Sequence, residues 1–157
     1  ADGRCPPGQL IPSSEWRFHC DILHSFPATN AVVHVHSTYA TALACLGEGI
    51  PAFHYMVAMA GGADIPCAPY ATFGTPELSA NILNALHERK ACLMANHGQV
   101  ATGRTLADAY ALAQEVENLA RQYMLARSLG PTRNLSGDEM ARVIEKFRSY
   151  GQQRSDD

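Results

Sequence analysis

Residues 30–47 read NAVVHVHSTYATALACLG. The β-branched run AVVHVH (31–36) predicts a short buried strand. Ser37 then opens a helix, and Gly47 is its natural C-terminal stop. A strand passing directly into a helix is the unit that, alternated along a chain, builds an α/β domain. Residues 90–95, KACLMA, supply a second buried strand, and QVATG resumes in extended form after the Asn96-His97-Gly98 turn.

The flanks extend this pattern. Pro6-Pro7-Gly8 and Pro12 mark residues 1–14 as loop. From Glu15, Trp16, Cys20, Leu23 and Phe26 recur at helical intervals, which predicts a helix to Ser25 stopped by Pro27. Pro51 to Met56 reads as another short strand. The stretch that follows is mixed, with a short helix, a Gly61-Gly62 turn and then extended chain. Thr75-Pro76 starts a helix reaching Arg89, with Thr as cap and Pro in the first turn. Thr105 starts the longest helix, with Asp108 in the capping-box position and Gly130-Pro131 as its end. Ser136 and Glu139 frame a last helix, and residues 151–157 form a polar, flexible tail. Helices alternating with buried strands predict an α/β fold in three layers. Periodicity leaves the strand directions open.

Composition narrows the function classes. The 157 residues are 46% hydrophobic and 17% charged, with a formal net charge of -3. No basic block offers a footprint for nucleic acid, and no apolar run is long enough for a membrane span. Five cysteines without CxxC spacing fit a reducing cytoplasm better than a disulfide framework. The Pro/Gly-rich opening without an initiator Met reads as the interior of a longer protein.

Three of the seven histidines stand where chemistry is favoured. His34 and His36 are two apart on a predicted strand, so both point to one face with roots roughly 6–7 Å apart. That spacing suits one shared ion, although two satisfied structural histidines would look the same. His97, in a Gly-containing turn at a strand end, offers a third nitrogen and the pattern of a three-histidine zinc site with an open position. Glu15, at a helix start, reads either as an ordinary first-turn acid or as a fourth ligand and proton-transfer group. Ser13 and Ser14, just before that helix, offer hydroxyls and free N–H groups to an anion. His19, His24, His54 and His87 read as structural. Tyr55 and Phe73 fit a pocket rim, which spacing alone does not establish.

IPSSEWRFH, AVVHVHSTYATALA, FHYMVAMAGG, IPCAPYATFGT, MANHGQVATG and EKFRSYG occur in a single order from Gln9 to Gly151. Together they resemble the class II, zinc-dependent sugar-phosphate aldolases, most closely the members that cleave L-fuculose 1-phosphate. The resemblance implies a single α/β/α domain around a largely antiparallel sheet, spanning 1–157 and lacking the family's N-terminal segment. It implies one Zn2+ per subunit, held by His34, His36, His97 and Glu15. Glu15 would leave the metal when substrate arrives and act as acid/base. Ser13 and Ser14 match serines that hold the substrate phosphate. Tyr55 matches a tyrosine that reaches a neighbouring subunit's site and protonates the aldehyde oxygen. Phe73, Phe147 and Tyr150 match residues of the pocket or interface, in a homotetramer with sites between subunits. The implied reaction is reversible cleavage of L-fuculose 1-phosphate, or a similar ketose 1-phosphate, to dihydroxyacetone phosphate and L-lactaldehyde through an enediolate. Lys90 and Lys146 are the only lysines, and neither has the setting of a Schiff-base residue. A methylthioribulose-phosphate dehydratase, a ribulose-phosphate 4-epimerase and a non-catalytic binding module share the fold and stay open as alternatives.

Overall fold

Side-chain alternation along three strands separates two hydrophobic clusters. On β1 (Ala31–Val35), Val33 packs into one cluster and Val32 into the other. On β3 (Ala91–Met94), Ala91 and Leu93 face the first, while Cys92 and Met94 face the second. Ala101 and Val100 divide in the same way on β4 (Gly98–Gly103). The computed structural model describes residues 5–149. Tyr150 and the tail at 151–157 lie outside the described residues.

The strand order is β1-β4-β3-β2, with β2 spanning only Cys67–Ala68. β1 pairs antiparallel with β4, β4 antiparallel with β3, and β3 parallel with β2. The sheet is therefore mixed, with antiparallel pairing predominant. α2 (Thr38–Cys45), α4 (Leu106–Leu129) and α5 (Gly137–Ser149) cover one face, together with a 3-10 helix at Tyr55–Ala60. α1 (Trp16–Ser25) and α3 (Pro76–Ala85) cover the other. Three layers follow from burying both faces of a sheet whose strands carry apolar residues on both sides.

Helix ends obey their local chemistry. Gly47, in the left-handed region at φ 66°, closes α2 by donating to the Ala44 carbonyl, and Glu48 N–H donates to Leu43. Thr75 Oγ1 accepts from Leu78 N–H at the start of α3. At α4 both halves of the capping box form. Thr105 Oγ1 accepts from Asp108 N–H, and the Asp108 carboxylate accepts from Thr105 N–H, each at 3.1 Å. Thr105→Ala is expected to lower stability by about 1 kcal/mol, read as a shift in the urea midpoint at unchanged slope. Ser136 Oγ accepts from Glu139 N–H at the start of α5, while the Glu139 carboxylate turns to Arg142.

Two expectations need correction. Pro51–Met56 is not a strand. Only Ile50 bridges, to Ile65, because Pro51 has no N–H for a ladder. His54 Nδ1 then accepts from Met56 N–H and starts the 3-10 helix, which Gly61 ends at φ 90°. α3 stops at Ala85 rather than Arg89, and Glu88 at φ 58° turns the chain back toward β3.

Candidate metal centre

The end of β1, the β3–β4 turn and the start of α1 meet at one point. His34 and His36 share a face of the extended chain and point toward α1, where the Phe18 ring meets His34 edge-on. Asn96, at φ 54°, turns β3 into β4 and presents His97 beside them. Gly98 makes this approach possible, since a Cβ there would sit 2.6 Å from the Val35 carbonyl oxygen and 2.8 Å from the His36 ring. Glu15 is the residue before α1, held by its own N–H, which donates to Ser13 Oγ at 3.2 Å.

One ligand atom from each of Glu15, His34, His36 and His97 lies within 4.8 Å of the others. Glu15 Oε2 is 3.0 Å from His34 Nε2, Glu15 Oε1 is 3.2 Å from His97 Nε2, and the Nε2 atoms of His34 and His36 are 3.1 Å apart. His34 Nδ1 lies 2.9 Å from the Gln99 carbonyl oxygen. A carbonyl only accepts, so Nδ1 carries a proton and Nε2 is the ring atom turned toward the cluster. Burial lowers the His97 pKa, with His34 and His36 adding to that effect and Glu15 opposing it. Three imidazoles thus crowd around one largely enclosed carboxylate, which meets His34 through Oε2 and His97 through Oε1.

A single cation can be shared among donor atoms packed this closely. Three imidazole nitrogens and one carboxylate form a donor set suited to zinc or a similar divalent ion. The residues present fit a metal.

The other residues singled out from the sequence are distributed around this cluster. Ser13 and Ser14 are exposed directly before α1, whose first turn has no side-chain cap. Phe73 is exposed, but the adjacent Gly74 packs against the Ser14 carbonyl and so ties its loop to the serine turn. Tyr55 is half exposed and does not join the cluster. Its ring lies 6.4 Å from that of Phe147, over a groove of about 550 Å³ between the 3-10 helix and α5. That groove includes none of the four clustered residues. His19 was read as structural, yet it stacks on Phe18 beside the cluster. Burial lowers its pKa, His34 lowers it further, and Glu15 opposes. Gln99, whose carbonyl meets His34 Nδ1, is a further neighbour of the cluster that the sequence reading does not single out, although it stands directly after Asn96-His97-Gly98.

Comparison with known proteins gives a consistent picture. A family described as "Class II Aldolase and Adducin N-terminal domain" matches residues 1–124. The chain is 60% identical over 144 residues to a 5-methylthioribulose-1-phosphate/5-deoxyribulose-1-phosphate aldolase of Rhodospirillum rubrum, covering 92% of this chain and 65% of that protein. It is 50% identical over 151 residues to the L-fuculose phosphate aldolase of Escherichia coli, covering 96% and 70%. A solved structure described as an L-fuculose 1-phosphate aldolase superposes with a TM-score of 0.87 at 44% identity, over 90% of this chain and 66% of that one. The chain spans about two thirds of the length of these relatives.

Proposed function

The chain belongs to the class II aldolase and adducin N-terminal domain family, and from that premise we propose that it is a metal-dependent aldolase acting on a ketose 1-phosphate. The observation that carries this reading is the convergence of Glu15 with His34, His36 and His97. These four side chains would hold a divalent ion such as zinc, which would supply Lewis-acid polarisation of a substrate carbonyl.

The chain's own residues supply the rest. Cleavage removes the proton of the C4 hydroxyl, breaks the C3–C4 bond and adds a proton at C3, so no net proton is consumed. Glu15 delivers the proton to C3 and removes it in the condensation direction. Its carboxylate is largely enclosed and is contacted only by the imidazoles of His34 and His97 among the clustered residues, which keeps it beside the reacting carbon. Ser13 and Ser14 hold the phosphate with hydroxyls and N–H groups at the start of α1. Tyr55 exchanges the proton of the aldehyde oxygen across a subunit boundary. Phe73, Phe147 and Tyr150 are proposed to line that boundary in a homotetramer, and the exposure of Tyr55 and Phe73 supports this. The proposal carries a cytoplasmic location with it, in keeping with five free thiols.

The named substrates of the two relatives share a chemistry. Each is a ketose 1-phosphate whose far end lacks a hydroxyl and is apolar, and each yields dihydroxyacetone phosphate on cleavage between C3 and C4. L-fuculose 1-phosphate is one candidate, and 60% identity to the Rhodospirillum rubrum protein gives 5-methylthioribulose 1-phosphate and 5-deoxyribulose 1-phosphate equal standing. The test offers each compound to the zinc-loaded chain and reads dihydroxyacetone phosphate. Release from at least one is expected, and the larger kcat/KM assigns the substrate. No release from any of them by a zinc-loaded sample contradicts the aldolase reading.

A further inference from the structure

We propose that Gln99 is a positioning residue for the metal centre, acting on His34 of β1 and on His36 just beyond it, with its side chain on the opposite face of the sheet. The inference rests on the metal-site reading above. Gln99 is fully buried on β4, opposite Val35 and Leu93, and its two halves reach two different targets. Its backbone carbonyl accepts a hydrogen bond from His34 Nδ1–H and so aims Nε2 at the cluster. Its side-chain amide donates to Ser37 Oγ at 2.7 Å and to the Ala113 carbonyl of α4 at 3.1 Å. Ser37 directly follows His36, which is the most exposed of the four clustered residues.

What Ser37 does not do supports this role. It stands at the N-cap of α2, where a serine hydroxyl normally accepts from the second or third N–H of the helix. Its side chain makes no such bond. The Glu117 carboxylate, reaching over from α4, accepts instead from Tyr39 N–H at 2.9 Å and Ala40 N–H at 2.8 Å. Glu117 thus takes over the capping, and the Ser37 hydroxyl is left to Gln99. The backbone between His36 and α2 is thereby pinned to β4 and α4.

The side-chain arm has a cost that packing alone does not explain. Gln99 Oε1 is buried with no hydrogen-bond partner. An apolar residue of similar shape would avoid that penalty, because removing an orphaned buried acceptor offsets the loss of donors elsewhere. A glutamine at this position is accounted for by what its amide holds in place.

The experiment measures zinc affinity by competition with a chelator, together with the melting temperature of the metal-free chain. Wild type, Gln99→Met and Ser37→Ala are compared. Gln99→Met keeps the backbone carbonyl that holds His34 and removes only the side-chain arm, so it is expected to melt within a few degrees of wild type yet bind zinc about 10-fold more weakly, the low end of the range for loss of a ligand's supporting partner. Ser37→Ala, which leaves the Glu117 cap intact, is expected to weaken zinc in the same direction and serves if Gln99→Met does not fold. Zinc affinity within twofold of wild type in the folded variants overturns the proposal, whatever the melting temperatures. A wild-type chain that takes up no zinc overturns the metal-site reading itself, and this proposal with it.

Discussion

Glu15→Gln is expected to slow exchange of the dihydroxyacetone-phosphate proton with solvent by about 10²- to 10⁴-fold, the range over which a positioned acid/base group contributes. The substitution keeps the shape of the side chain and replaces a basic oxygen by an amide. Folding should survive, because it neutralises a nearly enclosed carboxylate while the amide can still meet the neighbouring imidazoles. Zinc would bind more weakly, since a neutral amide oxygen is a poorer ligand, so exchange must be followed at a concentration where the metal content of the sample is verified. Exchange at the wild-type rate by such a sample removes Glu15 from proton transfer.

His34→Ala is expected to have the largest effect on the metal. His34 is the residue through which the cluster is joined. Its Nε2 contacts both Glu15 and His36, and its Nδ1 is held by Gln99. Removing the ring deletes one nitrogen ligand and takes away a contact near 3 Å from both Glu15 and His36. The loss of affinity should exceed the roughly 10- to 100-fold expected when only a supporting hydrogen bond is removed. Competition titration of the metal-free chain decides it. One equivalent of zinc bound at wild-type affinity would exclude the three-histidine arrangement.

The parts of this site that were legible in the sequence are those written in short local patterns. His34 and His36 share a face because strands repeat every two residues. His97 was recognisable from its glycine-containing turn, and Glu15 from its position beside a pair of serines at a helix start. The strands at 31–35, 91–94 and 98–103 were equally legible, since each is a compact apolar run bounded by turn residues. Interactions across long sequence separations were hidden. Gln99 meets Ser37 across 62 residues, and Glu117 meets Tyr39 across 78, so no window along the chain contains both partners. His19 was passed over because a histidine on a helix gives no sign of which neighbour will bury it. Pro51–Met56 misled because a few apolar residues near a proline suit a strand or a short helix equally well. What decided between them was the His54 ring capping the turn, which periodicity does not encode.

The most direct test follows the release of dihydroxyacetone phosphate from a ketose 1-phosphate by the same preparation in three states: as purified, after exhaustive chelation, and after one equivalent of zinc is restored. A metal-dependent aldolase built on Glu15, His34, His36 and His97 predicts that cleavage disappears with the metal and returns with it. Undiminished cleavage by a chain shown to be free of metal would contradict it.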